Sequence, residues 1–290
     1  MIKVSHQEIE MEDNESYTQS VELYRKLLSL YSNKLRQFTK NFPLHKRQFT
    51  FDDFNEQCYR IMYESQRKKK QILPRQKFFR LIPKLRAECL ECWKFYLNPR
   101  NESIKKLDVV LGKQFEDVLI DFFNNHVRVP CRRTAESGNY PDIEVLDNDR
   151  MKVVAYCEVK YLTAPFVKIF EKIPGRECYE GSTTLDVGRK IKAQRKIVET
   201  KIRVPVFYVY WLDYPCIKGI FYMSAKRVYK YIDEVGVEWR RRKRAGDFVR
   251  RGNRKILVGE LNKVYLPLLE MGNFKKFIDE IKLLCGDKDV

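Results

Sequence analysis

Glycine and proline are scarce. Twelve and eleven of 290 residues are too few for a collagen-like or low-complexity chain. Histidine is scarcer still: His6, His45 and His126 are the whole set, and none is spaced to complete a zinc site. No apolar run approaches the ~20 residues of a membrane span. The first residues, MIKVSHQEIEMEDNES, carry no apolar stretch behind a basic start, so no secretory leader is expected. A helicase-type phosphate loop and a methyltransferase motif are also missing, which excludes a nucleotide cofactor. These absences lead us to expect a cytoplasmic, intracellular protein with no membrane partner.

Cysteine is present without an evident plan. Eight residues are spread over the chain, and only Cys89 and Cys92 stand close together. A tetrahedral structural site needs a second pair. The sequence therefore reads as reduced thiols packed as small apolar groups.

Positive charge is in excess. Lys and Arg number 57 against 39 Asp and Glu, a formal charge of +18. The hydrophobic share of 44% is enough to fill a core, so global disorder is excluded. A folded chain with this charge repels itself, and a polyanion relieves the repulsion. Nucleic acid is the expected partner, because neutralised phosphates release counterions. An anionic membrane surface fits less well, since no long basic amphipathic segment with a clean apolar face is present.

Two compositional halves are expected. Residues 1–102 read as an all-helical N-terminal region: Val21, Tyr24, Leu27, Leu28 and Tyr31 recur at helical spacing, and further helices are expected around Cys58 and from Leu85 to Tyr96. Asn98-Pro99-Arg100-Asn101 is a turn signal and the expected boundary. Residues 103–290 read as an α/β domain, a mixed central sheet with flanking helices. Helices are expected over 111–125, 184–200, 224–234 and 273–285. Strands are expected over Val127–Arg133, Asp142–Leu146, Met151–Leu162, Val204–Leu212 and Ile217–Met223, with a turn at Asp147-Asn148-Asp149-Arg150.

One strand carries an unusual pattern. Met151, Val153, Ala155, Cys157, Val159 and Tyr161 share an apolar face, while the other face runs Val154, Tyr156, Glu158, Lys160. Such a strand is buried on both sides and becomes charged near its end. The turn before it places Asp142 on the adjacent strand. Two neighbouring carboxylates repel unless a cation lies between them. Oxygen ligands of this kind suit Mg2+, with Mn2+ as a substitute. Such an ion polarises a phosphoryl oxygen and activates a water. Lys160 beside it can orient or deprotonate that water, or stabilise developing negative charge.

Pro141-Asp142 followed by Glu158-Val159-Lys160 resembles the PD-(D/E)xK signature of the restriction-endonuclease-like nucleases. The resemblance covers about residues 106–223 and implies their α-β-β-β-α-β core. It implies metal ligation by Asp142, Glu158 and the Val159 carbonyl. It adds Glu116 on the first core helix as a further ligand; the other reading of Glu116 is an edge-of-face glutamate reaching to water. It also offers Gln194, on the apolar row Val187, Ile191, Val198, as a residue near the attacking water; the other reading is a satisfied buried glutamine. The tyrosine that the exonuclease-like branch carries four residues on is Val198 here. Glu144 is an auxiliary ligand only if its strand is regular, and a surface position suits it better.

Trp239–Lys255 holds nine basic residues in seventeen. Arg240, Arg241, Arg242, Lys243, Arg244, Arg250, Arg251 and Arg254 read as a loop that clamps DNA, with Gly246 and Gly252 arguing against a long helix. Arg132 and Arg133 precede the Pro-Asp strand and are placed to bind the scissile backbone. The expectation is a Mg2+-dependent endonuclease on double-stranded DNA, most like a type II restriction enzyme acting as a homodimer. The alternatives are a structure-specific or repair nuclease, such as a Holliday-junction resolvase, and a non-cleaving DNA-binding protein of the same fold.

Overall fold

The computed structural model describes residues 6–40, 46–97, 105–136, 138–163, 169–241 and 248–286. Five strands form the central sheet in the order β1-β2-β3-β5-β6. These are β1 Cys131–Arg133, β2 Ile143–Leu146, β3 Val153–Leu162, β5 Val206–Asp213 and β6 Lys218–Ser224. β1, β2 and β3 pair antiparallel, β3 and β5 parallel, and β5 and β6 antiparallel. The parallel step needs a crossover, and α8 (Arg189–Thr200) lies within it. A small antiparallel sheet joins β4 (Thr184–Asp186), β10 (Asn262–Tyr265) and β7 (Trp239–Arg240). The mixed α/β class expected from sequence holds.

The period-two pattern of β5 divides the core. Phe207, Val209 and Trp211 face one side with Ile143, Val145, Ala155, Cys157 and Val159. They pack against Tyr24, Leu27 and Tyr31 of α1 (His6–Phe38), Phe115 and Phe122 of α6 (Lys105–Phe122), and Phe274 and Phe277 of α10 (Phe274–Leu284). Val206, Tyr208, Tyr210 and Leu212 face the other side. There they meet Phe54 and Cys58 of α2 (Asp53–Cys58), Phe78 of α4 (Arg75–Leu81), Ile191 of α8 and Val228 of α9 (Ala225–Val235). Every residue of β5 is buried, as a strand covered on both faces requires.

The N-terminal helices therefore have no core of their own among the described residues. Their apolar faces are buried on the sheet, and buried Trp211 Nε1 donates to Tyr24 Oη at 3.1 Å. The division at residue 102 separates helices from sheet in sequence, and both clusters cross it. The turn at 98–101 lies outside the described residues. Among those described, no helix is long and apolar enough to cross a membrane.

Several boundaries differ from the sequence expectation. Val127–Arg133 is strand only from Cys131, because α6 runs on through a π-helical turn at Phe123–Val127 that ends on Arg128 at φ 63°. Met151 is 82% exposed and belongs to the turn: Asp147 Oδ1 accepts from the N–H of Met151 and Lys152 at 2.8 and 3.1 Å, holding both out of β3. The helix expected from 184 begins at Arg189, since 184–186 pair with β10 as β4.

A fully buried ion pair closes the β5–β6 end. Lys218 Nζ donates to Asp213 Oδ1 at 2.6 Å and to the Arg47 carbonyl, and neither side chain reaches solvent. Asp213 Oδ2 also accepts from Phe49 N at 3.0 Å and Tyr161 Oη at 3.1 Å. Burial pulls the Lys218 ammonium below its ordinary value, against the opposing charge of Asp213. Removing one partner of such a pair costs about 3–5 kcal/mol, because the other charge is left uncompensated. Asp213→Ala should lose stability on that scale in urea unfolding; a loss no larger than that of an exposed Asp→Ala would show that the pair is not the anchor of the 46–50 segment.

Candidate active site

Asp142 stands at the mouth of β2, one residue before the couple Ile143–Cys157 that pairs β2 with β3. Its Oδ2 accepts from Val159 N at 2.8 Å, so the carboxylate reaches across to β3. Glu158 and Lys160, two apart on β3, share the face that α8 covers. Glu158 is 1% exposed. Its Oε1 accepts from Lys160 Nζ and, at 3.2 Å, from Lys190 Nζ; its Oε2 accepts from Gln194 Nε2 at 2.5 Å. Lys190 and Gln194 are one helical turn apart on α8, so one face of the helix supplies both.

Behind this lies a tyrosine support. Tyr208 Oη donates to Gln194 Oε1 at 2.6 Å, which turns the amide so that its NH2 faces Glu158. Tyr229 Oη lies 3.4 Å from Tyr208 Oη. Tyr210, opposite Lys160 in the β3–β5 register, has a buried hydroxyl with no hydrogen-bond partner among the described residues.

The charges oppose one another in an ordered way. Burial, and then the charge of Glu158, push Asp142 up to about 6, against the nearby Lys160. Burial would raise Glu158 too, but Lys160 and Lys190 overcome it and hold that carboxyl at about 2. Burial works against the Lys160 ammonium, and Glu158 and Asp142 more than restore it, so Lys160 is kept protonated. The two acids thus differ by which of them owns the lysines.

The oxygen set suits a hard divalent ion. Lys160 Nζ lies against Glu158 Oε1 and 3.4 Å from the Val159 carbonyl, so a cation already faces two of the three expected ligand oxygens. The unpartnered Tyr210 hydroxyl is a further, neutral oxygen: burial, and then the charge of Glu158, hold its proton more tightly than usual. Among the described residues no three His, Cys, Asp or Glu side chains gather closely enough to hold an ion unaided. Mg2+ does not need three, because it keeps several waters and binds through one or two carboxylates.

Glu116 lies near enough for its charge to reach Asp142 and Lys160, but it is ion-paired with Arg133. Arg133 also binds Asp117 Oδ1 at 2.5 Å, so the expected backbone contact is committed to two acids. Arg132 pairs with Glu144 Oε2 at 2.7 Å. Glu144 is buried beneath it rather than at the surface. Gln194 is a buried glutamine whose amide is satisfied at both ends, Nε2 donating to Glu158 Oε2 and Oε1 accepting from Tyr208.

Lys190 and Tyr208 escape a motif-based reading. Lys190 was legible only as one of several basic residues around α8, although its place four residues before Gln194 puts it on the same face. Tyr208 is hidden in the apolar run of β5.

The basic segment is partly described. Arg242, Lys243 and Arg244 lie outside the described residues. Arg240 is in β7, Arg241 follows it, and Arg250, Arg251 and Arg254 belong to a hairpin of β8 (Phe248–Arg251) and β9 (Arg254–Leu257). The expected loop is thus a two-stranded ribbon, turned at Gly252 with φ 59°, a backbone that favours glycine. Arg250 faces Lys255 and Arg251 faces Arg254 across it, all exposed.

No known protein family, curated protein or solved structure matches the chain.

Asp142 gives a stability prediction with a definite sign. An acid raised from 3.8 to about 6 by the fold costs stability wherever it is ionised, fully above about pH 6, and costs nothing below about pH 4. Asp142→Asn should therefore melt higher than the wild type in chelator at about pH 8, with the gain gone near pH 4. An equal or lower melting temperature at the higher pH would contradict the strained-carboxylate account.

Proposed function

We propose that this protein is a Mg2+-dependent endonuclease that hydrolyses phosphodiester bonds of double-stranded DNA, most like a type II restriction enzyme acting as a homodimer. The observation that carries the reading is the meeting of Asp142, Glu158 and Lys160 at one point of β2 and β3, tied by the Val159 N–H and by the shared Glu158 oxygen. Asp142, Glu158 and the Val159 carbonyl would hold the metal. Bound there, the ion supplies Lewis-acid polarisation of the phosphate and a more acidic water.

The chain's own groups take definite parts. Lys160 is held protonated by two carboxylates, so it serves to orient water and to offset charge developing on the phosphate, rather than to remove a proton. Gln194, fixed by Tyr208, keeps Glu158 in one orientation. Lys190 shares Glu158 Oε1 with Lys160 and is half-exposed, which leaves it free to meet an approaching phosphate. Arg132 and Arg133 hold Glu144 and Glu116 in place before they touch any substrate.

DNA as the partner is supported by the hairpin. Like charges directly opposite on paired strands destabilise the pairing, and here two such couples sit on an exposed ribbon. A polyphosphate between or along them removes that repulsion. A resolvase-like or binding-only role remains the competing outcome of the same assay.

Plasmid DNA incubated with Mg2+ should be cut to discrete fragments, and chelator should stop it. Asp142→Ala and Glu158→Ala should each lower the rate by at least ~10^2-fold while DNA retardation persists. Wild-type cutting by either variant sinks the site assignment; cutting only of branched substrates selects the resolvase, and retardation without cutting selects the binding protein. Separately, the triple change Arg250→Ala, Arg251→Ala, Arg254→Ala should weaken binding and reduce the slope of log K against log salt by roughly 2–3. An unchanged slope would remove the hairpin from the interface.

A further inference from the structure

The chain from Ser65 to Ala87 holds nine basic residues and no acid. It forms α3 (Ser65–Lys69), α4 and the start of α5 (Leu85–Leu97). Lys69, Lys70, Lys77, Arg80, Lys84 and Arg86 are exposed. None of the six has an ion-pair partner among the described residues, unlike Arg67, which pairs with Glu64. The apolar side of the segment is buried: Phe78, Ile82 and Leu85 join the cluster that holds Tyr208 and Ile191. That cluster lies on the sheet face that carries Glu158 and Lys160. The basic residues therefore stand on the outside of the helical layer to which α8 belongs.

Helix stability does not account for this charge. The end of α3 gains from lysines, because the macrodipole is negative there. Lys77 in the first turn of α4, and Lys84 and Arg86 at the start of α5, stand where the dipole is positive and oppose it. Lys70 holds φ 48°, a left-handed backbone at the end of α3 where glycine is usual. The turn is nonetheless fixed from beneath. Gln66 is 1% exposed; its Nε2 donates to the Met62 carbonyl and Tyr179 Oη at 2.6 and 2.5 Å, and its Oε1 accepts from Leu73 N at 2.6 Å. Glu177 Oε1 accepts from Arg75 N at 3.1 Å and seats α4. Unanswered like charges on a held backbone repel, and a line of phosphates removes the repulsion. We propose that α3, α4 and the start of α5 form a second duplex-DNA surface, which takes the phosphate backbone through Lys69, Lys70, Lys77 and Arg80. It rests on the DNA reading above and adds to the β8–β9 hairpin a contact seated on the core. A lipid surface fits less well, since α4 turns Phe78 inward and Leu81 is its one exposed apolar residue.

The test is binding of a fluorescent duplex by the full chain, read by anisotropy in chelator over a series of salt concentrations. Neutralising the four together (Lys69→Gln, Lys70→Gln, Lys77→Gln, Arg80→Gln) should lower the slope of log K against log salt by roughly 3–4, at about 0.9 per phosphate contact. The control Lys26→Gln, Lys34→Gln, Arg150→Gln, Lys152→Gln removes four exposed cations from other elements and should lower it by less than about 1. Far-UV circular dichroism checks the fold of both. Should the first variant unfold, wild type decides: bound duplex should shield Lys69 and Lys77 from amine acetylation and leave Lys26 open. An unchanged slope in the folded variant, an equal fall in the control, or no shielding of Lys69 and Lys77 would each overturn the proposal. So would release of the variant from phosphatidylserine vesicles with its DNA slope intact. A wild type that binds duplex through these residues but never cuts it removes the nuclease reading alone. A wild type that cuts, with an unchanged slope in the folded variant, removes this surface alone.

Discussion

A carboxylate shut away from water must be given its counter-charge by the protein, and Glu158 receives two ammonium groups and an amide. That arrangement constrains much around it. β3 has to bring Lys160 to the same face, so its register against β2 and β5 cannot slip by one residue without sending Glu158 into the opposite, wholly apolar cluster. α8 has to lie over that face with Lys190 and Gln194 one turn apart. Tyr208 has to come from the neighbouring strand to set the amide. Three elements are therefore fixed relative to one another by the solvation of a single group.

Asp142 shows the other side of this economy. The lysines that settle Glu158 are not equally available to it, and a backbone N–H from Val159 is its direct hydrogen bond. Its raised proton affinity comes first from burial and then from the charge of Glu158, against the pull of Lys160 and Lys190. Under the function proposed above, a divalent ion held by Asp142, Glu158 and the Val159 carbonyl would offset that cost. Stability is given up locally, and the loss is affordable because β5 and its two faces are buried throughout.

How much of this was legible beforehand follows from the range of each interaction. The alternation of β3 is local, so Glu158 and Lys160 could be placed on one face from sequence, and the short turn at 147–150 made Asp142 their neighbour. The amphipathic spacing of α8 likewise presented Gln194. Lys190 and Tyr208 were not singled out, because their roles exist only once α8 is laid on β3 and β5. Glu144 was misjudged for a related reason: its partner Arg132 lies on β1, and nothing in either segment alone says that the pair is buried. Met151 extended an apolar pattern that the side chain of Asp147 cuts short.

The helical half and the sheet half share both hydrophobic clusters, for a physical reason that bears on how the protein would handle DNA under the proposed function. Helical spacing announces an apolar face but not what covers it. Here the covering surface is the sheet, on both sides, so α1 and α2 cannot move as a recognition module without unpacking Tyr24 from Trp211 or Phe54 from its cluster. The β8–β9 hairpin is different: its residues are largely exposed, and among the described residues its two strands pair with each other and with no other strand. Under the proposed function, adaptation to a substrate would fall to the ribbon, whose like-charged couples would gain most from an anion. The carboxylates it would serve stay on the buried central sheet, where a small displacement would separate Asp142 from Val159 and Lys160 from Glu158 together.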